Sequence, residues 1–308
     1  MPPPLMVDFL NGFGVSPTTP HNRTVGISTE QERLLTDDGL ALAATRIRPP
    51  TPAAASILVA GATAVPRRFY RRFAEHAANA GFEVLTLDYR GTGESRPASL
   101  RGFRMGFGDW AEHDIPAAIA AMDPSRPIHL VGHSYGGSAL GLIPGVERLA
   151  SAYTFGSGSG WSGWMSRAER ARLWWIWNTV GPVSVGLLGY LPWSRLGSGE
   201  DLPAGAFWGW RRWTSFRRFV VDDPLVPDAA ARYAAVPIPL TYATAVDDPW
   251  ATPASRDAML ETFTGAARRT AVDLVPASIG ASSIGHMGYF RSGAEPLWDA
   301  ALESFDGA

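Results

Sequence analysis

Leu130-Val131-Gly132-His133-Ser134-Tyr135-Gly136-Gly137 decides how this chain is read. An apolar run, Ile128 to Val131, leads straight into Gly-His-Ser-Tyr-Gly, and Ala139 and Leu140 follow. The spacing predicts a short strand that turns sharply into a buried helix and holds a serine oxygen out above a sheet, a nucleophile elbow. The serine of such a turn sits at a strained backbone angle. The neighbouring chain passes too close for a β-carbon, which accounts for glycine two places before and two places after it. In a chain with 33 glycines a chance Gly/Ser loop must be excluded by the segments on either side.

Those segments alternate. Gln31 to Leu35 and Ala41 to Ile47 read as antiparallel strands around Asp37-Asp38-Gly39, and Ala55 to Ala60 as a strand buried on both faces. A small-residue loop, Gly61 to Val65, and a helix from Pro66 to Ala80 closed by Gly81 come next. Glu83 to Leu87 is a strand, and Ile115, Ala118, Ile119 and Met122 give helical spacing to Trp110–Met122. Past the elbow, Ala152 to Phe155, Ile238 to Ala243 and Ala271 to Val275 read as further strands, with helices over Ser255–Thr264 and Pro296–Phe305. Strand and helix in alternation predict an α/β fold, a mostly parallel central sheet with helices on both faces.

The alternation stops between 157 and 236, where nine of the twelve tryptophans lie: Trp161, Trp164, Trp174, Trp175, Trp177, Trp193, Trp208, Trp210 and Trp213. This divides the chain into an N-terminal arm, 1–27, a core over 28–156 and 237–308, and a Trp-rich helical cap over 157–236. Leu173 to Ser194 carries no charge, which is long enough for a membrane span. Asn178, Gly181-Pro182, Gly186 and Gly189 interrupt it, so two short helices over an apolar pocket are expected, with no stable span.

Composition narrows the chemistry further. Cysteine is absent, which removes disulfides, thiolate catalysis and zinc–cysteine sites. Lysine is absent as well, which removes a Schiff base and a P-loop lysine. A net charge of −2 gives no overall field to attract nucleic acid or an anionic membrane. Met1-Pro2-Pro3-Pro4 shows no secretory signal, so a cytoplasmic location is the expectation. No metal or cofactor is called for; the partner expected is a small molecule.

A serine hydroxyl needs a base to become a nucleophile. Elbow-bearing folds order the chain as serine, acid, histidine. Of His21, His76, His113, His129, His133 and His286, only His286 lies beyond the region that would carry the acid, in Ile284-Gly285-His286-Met287-Gly288. The acid should follow the strand ending at Ala243, where the chain reads Ala245-Val246-Asp247-Asp248-Pro249. Asp248 is the preferred acid and Asp247 the alternative; Asp257 and Asp273 read as helix-surface and strand-face residues. An oxyanion hole needs two backbone N–H donors, expected from Tyr135 and from Ala62.

The combination resembles the α/β-hydrolase superfamily of serine hydrolases over nearly all of residues 30–305. The motifs that carry it are Ala60-Gly61-Ala62, Asp88-Tyr89-Arg90-Gly91-Thr92-Gly93-Glu94-Ser95, the elbow, Asp247-Asp248-Pro249 and Gly285-His286. Together with Phe69-Tyr70-Arg71-Arg72-Phe73-Ala74 they are similar to a branch of uncharacterised bacterial predicted hydrolases. One departure is Ala60-Gly61, where many members carry His-Gly. The resemblance implies an α/β-hydrolase fold with the cap inserted between strands 6 and 7, and a two-step acyl transfer. Ser134 would attack a carbonyl, and His286 would take and return the proton. An ester of a bulky apolar or aromatic molecule is the expected substrate, with cap residues forming its pocket. A transferase, cyclase or lyase on the same scaffold, or a non-catalytic binding protein, are the other readings.

Overall fold

The computed structural model describes residues 26–196 and 199–305. The arm expected over 1–27, His21 and Met1–Pro4 included, lies outside them except for Gly26 and Ile27.

Strands β1 (Ser28–Leu35), β2 (Ala41–Arg48), β3 (Ser56–Ala60), β4 (Glu83–Leu87), β5 (Ile128–His133), β6 (Ser151–Phe155), β9 (Leu240–Ala245) and β10 (Arg269–Leu274) form one sheet, ordered β1-β2-β4-β3-β5-β6-β9-β10. β2 runs antiparallel to β1 and β4, and every other pairing is parallel. Antiparallel β7 (Tyr190–Leu191) and β8 (Leu202–Pro203) lie in the segment between β6 and β9, the sixth and seventh strands of the large sheet.

The central strands are apolar throughout because both faces are covered. Ile57 and Val59 pack with Phe73, Ala77, Trp298 and Leu302 from helices α1 (Arg71–Asn79) and α9 (Glu295–Glu303). Leu58 and Ala60 face the opposite core with Ile115 and Ile119 of α2 (Ile115–Ala120) and Met259 of α8 (Pro253–Leu260). The edge strand β1 exposes Glu30 and half-buries Glu32, and Glu32 and Glu83 pair with the buried Arg46 at 2.5 and 2.6 Å. Charge on an edge discourages further strand pairing.

The Asp-Tyr-Arg-Gly stretch is a structural lock. Buried Asp88 accepts from the Arg67 and Glu94 backbone N–H groups at 2.7 and 2.9 Å and pairs with the Arg67 guanidinium. Arg90 is tied to buried Asp114 at 2.6 Å and to Asp38 at 2.7 Å, and its carbonyl accepts from Trp110 Nε1. These bonds fix the loop that delivers Phe107 to the site described below.

Two helices depart from expectation. After the elbow, α3 (Tyr135–Ser138) lasts a single turn and passes into a 3-10 turn, Leu140–Leu142, where Tyr233 packs in the space that a residue larger than Gly141 would fill. Trp110–Asp114 is a π turn leading into α2.

The uncharged stretch departs more. It is not two separate helices: α4 (Arg167–Trp175) continues through a π turn, Ile176–Val180, into α5 (Gly181–Leu188), with helical backbone at Val180 and Gly181. The Gly181 N–H bonds back five residues to Ile176 O, and this wider turn accommodates Pro182, which has no N–H to offer the ladder. The helix stops at Gly189, which is left-handed at φ +83°. No helix among the described residues is long and apolar enough to cross a membrane. α6 (Ala204–Trp213) and α7 (Ala229–Ala234) complete the segment.

Candidate active site

Ser134 sits at φ +52°, ψ −111°, between the end of β5 and α3. A β-carbon on Gly136 would lie 2.0 Å from Ala60 O, and one on Gly132 2.8 Å from Gly137 N. Only glycine lets β3 and the two arms of the elbow approach this closely, and their contact holds the strained serine in place.

Ser134 Oγ lies 3.0 Å from His286 Nε2, and His286 Nδ1 lies 2.9 and 3.1 Å from the oxygens of Asp248. Asp248 is buried on the turn after β9. One of its oxygens accepts from the Trp250 and Ala251 backbone N–H groups at 2.8 and 2.9 Å; the other accepts from Tyr289 Oη at 2.8 Å. Burial pushes the carboxyl up, but His286 and the backbone donors more than offset this and hold it below the usual carboxylate range. An ionised Asp248 accepts only, so Nδ1 carries the imidazole proton and Nε2 is free to accept from the serine.

Asp247 does not reach the imidazole. It accepts from Ser283 Oγ at 2.7 Å and from the Ile284 and Gly285 N–H groups at 3.0 and 3.1 Å, and so clamps the loop that carries His286. Asp257 and Asp273 both pair with Arg256, at 2.8 and 2.5 Å.

The two N–H groups expected to form an oxyanion hole differ in what they bond. Tyr135 opens α3, and a helix's first N–H has no partner within it. The Ala62 N–H, in contrast, is committed: it donates to Tyr70 Oη at 2.7 Å in a buried contact. Tyr70 is 3.0 Å from His133 Nδ1, and His133 Nε2 is 2.9 Å from the carbonyl of His286. The proton assignment closes on itself, since a carbonyl only accepts. His133 donates from Nε2, Tyr70 donates to Nδ1, and Tyr70 Oη accepts from Ala62. This row ties the loop after β3, the elbow and the His286 loop together. The histidine of Gly-His-Ser-Tyr-Gly is thus part of the framework, and no spacing in the sequence links it to Tyr70. Thr63, the next residue, lines the pocket, and its N–H has no acceptor among the described residues.

Burial, reinforced by nearby His286, pulls the His133 pKa from 6.5 to about 3. The unfolded chain therefore takes up a proton below pH 6.5 while the folded chain does not, and stability falls progressively as pH drops from 6.5 toward 3. At about pH 5 this group should cost the fold about 2 kcal/mol. Urea unfolding near pH 7 and near pH 5 measures it, with His133→Asn as the comparison; an equal pH dependence in both chains would contradict the assignment.

The pocket above Ser134 is walled by Phe107, Trp193, Trp210, Phe219, Trp250 and Met287. Trp250 lies against the His286 ring at 5.8 Å and 24°, and Trp210 against Trp250 at 5.4 Å. Arg172, paired with Glu169 at 2.5 Å, sits over Trp250 at 5.7 Å. Three of these walls, Trp193, Trp210 and Phe219, come from the segment between β6 and β9, as does Arg172. Among the described residues only Asp37, Asp38 and His113 converge closely enough to ligate a metal. Their needs are already met: Arg90 holds Asp38, and His113 lies 2.7 Å from Asp37.

The sheet and helices are similar to several solved structures. DcsB, solved in complex with its substrate analogue, aligns at TM-score 0.63 and 15% identity over 91% of this chain and 99% of that one. Brefeldin A esterase, a bacterial homologue of human hormone-sensitive lipase, gives 0.55 and 16% over 95% and 80%. The Pyrococcus furiosus esterase Pf2001 gives 0.57 and 14% over 94% and 93%. At such identities the likeness is one of fold. No curated protein sequence matches the chain. The model of the alpha/beta hydrolase family matches residues 57–293, most of the chain, and the chain belongs to that family.

Proposed function

We propose that this chain is a serine esterase that cleaves an ester or similar acyl bond of a bulky apolar molecule through a Ser134–His286–Asp248 triad. The hydrogen-bonded row from Ser134 Oγ through His286 to Asp248, opening on a pocket of aromatic rings, carries this reading. His286 takes the serine proton as Oγ attacks the carbonyl carbon, the alcohol leaves with that proton, and an acyl-serine remains. Water then attacks the acyl-serine with His286 as base, releasing the acid and restoring the serine. The Tyr135 N–H stabilises the oxyanion; with the Ala62 N–H engaged by Tyr70, Thr63 N–H is the second donor. Residues 157–236 act as a cap whose pocket-lining Trp193 and Trp210 select the acyl or alcohol group.

The aromatic walls favour an acyl acceptor other than water as a second route. Turnover of a short-chain nitrophenyl ester with and without added methanol tests both. The expected result is nitrophenol release above the buffer rate, with part of the acyl group recovered as methyl ester. Release no faster than in buffer would contradict the proposal.

A further inference from the structure

The helix that lends Arg172 to the pocket has a second side, which none of the described residues covers. Along it Trp174 is 60% exposed, Trp175 56%, Val183 57% and Leu187 69%, with Leu188 also exposed and Trp208 of α6 beside Trp174 in one groove. Five of the ten large apolar side chains exposed among the described residues fall on this one helix, and a sixth, Trp208, lies beside it on α6. Scattered apolar residues on a surface need no explanation, but a concentrated row marks a contact surface.

The charges around it indicate what that contact is. From Leu173 to Ser194 there is none. At one end stand exposed Arg167 and Arg170; at the other, exposed Arg101 caps the helix by donating to the carbonyls of Leu187 and Leu188, with exposed Arg104 nearby in sequence. None of these four arginines has an acidic partner among the described residues. The acids of the segment are taken: Glu169 by Arg172, Glu200 by Arg68, Asp201 by Arg96. An acidic protein partner would require cations across the middle of the contact. Here the exposed row itself is apolar and aromatic; Arg211 meets it only on the α6 side, donating to Trp177 O and Asn178 Oδ1 and lying over Trp208, and the four arginines named above stand at its two ends. That is how a helix lying flat in a lipid–water interface is built, with indoles at headgroup depth and arginines on anionic lipid.

We propose that this face, Trp174, Trp175, Val183, Leu187 and Leu188 with Trp208, seats the protein on an anionic lipid–water interface. Arg172 lies one turn or less from Trp174 and Trp175 on the same helix and lines the pocket above Ser134. An ester dissolved in that interface would therefore meet the pocket mouth beside the embedded helix. This last step rests on the esterase reading; the seating itself does not.

Flotation of the Ser134→Ala chain with vesicles of phosphatidylcholine and about one third phosphatidylglycerol tests the seating without any need for turnover. The chain should float with the vesicles and its tryptophan emission should shift to the blue. Adding Trp175→Glu and Leu187→Glu should weaken partitioning at least about tenfold, since both remove exposed apolar groups and put acids toward anionic lipid. In the chain that retains Ser134, the same double substitution should leave far-UV circular dichroism and soluble-ester turnover unchanged. Failure to float, equal flotation of the substituted chain, or a dimer that the substitutions dissolve would each overturn the proposal. Flotation without esterase activity would sink the catalytic reading and leave the surface standing.

Discussion

Ser134→Ala is expected to lower kcat for a short nitrophenyl ester about a million-fold, with KM changed little. The size follows from the site's connectivity. His286 Nε2 has one hydroxyl at hydrogen-bond distance, Ser134 Oγ at 3.0 Å. The nearest serine along the chain cannot substitute, because Ser138 Oγ is buried and donates to Gly158 O at 2.7 Å. Without the nucleophile, only the oxyanion donors and the pocket act on the substrate, and in serine hydrolases that residue of catalysis is small. The fold should be retained: alanine has the same β-carbon as serine and meets the same strain at φ +52°. Steady-state kinetics with circular dichroism on both chains provide the check. A loss smaller than about tenfold would mean that another group performs the chemistry.

Asp248→Asn is expected to lower kcat about ten-thousand-fold, while Asp247→Asn has a much smaller effect, about tenfold, through the placement of His286. The difference lies in what each carboxylate receives. One oxygen of Asp248 takes protons from His286 Nδ1 and Tyr289 Oη, the other from two backbone N–H groups. Tyr289 has no choice in this, since its oxygen already accepts from Ala245 N–H at 2.9 Å. An asparagine amide must turn its NH2 toward one of these pairs of donors. If it faces His286 and Tyr289, the imidazole is driven to the wrong tautomer and cannot accept from serine. If it faces the backbone, two buried N–H groups lose their acceptor, at about 1–3 kcal/mol each. Asp247 only pins residues 283–285, and an amide oxygen can keep part of that. Equal losses from the two substitutions would contradict the assignment of the acid.

Much of the fold was legible because its signals are local. An apolar run buried on both faces, such as Ser56–Ala60, has no alternative reading once helices flank it. Chain order and the scarcity of histidine point to His286 and to the Asp247-Asp248 pair as partners for Ser134, with Asp248 preferred and Asp247 the alternative, without any knowledge of distance. What escaped the sequence depends on contacts between distant residues. Nothing along the chain says that the Tyr70 hydroxyl captures the Ala62 N–H, or that Tyr289 supports Asp248, because a hydroxyl's partner is set by packing of separate elements. Gly181-Pro182 read as a break for a sound reason, the missing N–H. A π turn, which propensity does not announce, carries the helix through it. The lining of the pocket was hidden for the same cause: Phe107, Trp210, Phe219 and Trp250 come from four separate stretches of chain and converge only in three dimensions.

The measurement that bears most directly on the proposed chemistry is reaction of the folded chain with a fluorophosphonate, followed by peptide mapping. An activated serine beside a histidine base attacks phosphorus and keeps the adduct, whereas an ordinary surface serine does not. A single adduct on Ser134, absent from Ser134→Ala, is the result this structure predicts. An unlabelled Ser134 in a chain that still hydrolyses a nitrophenyl ester would contradict it.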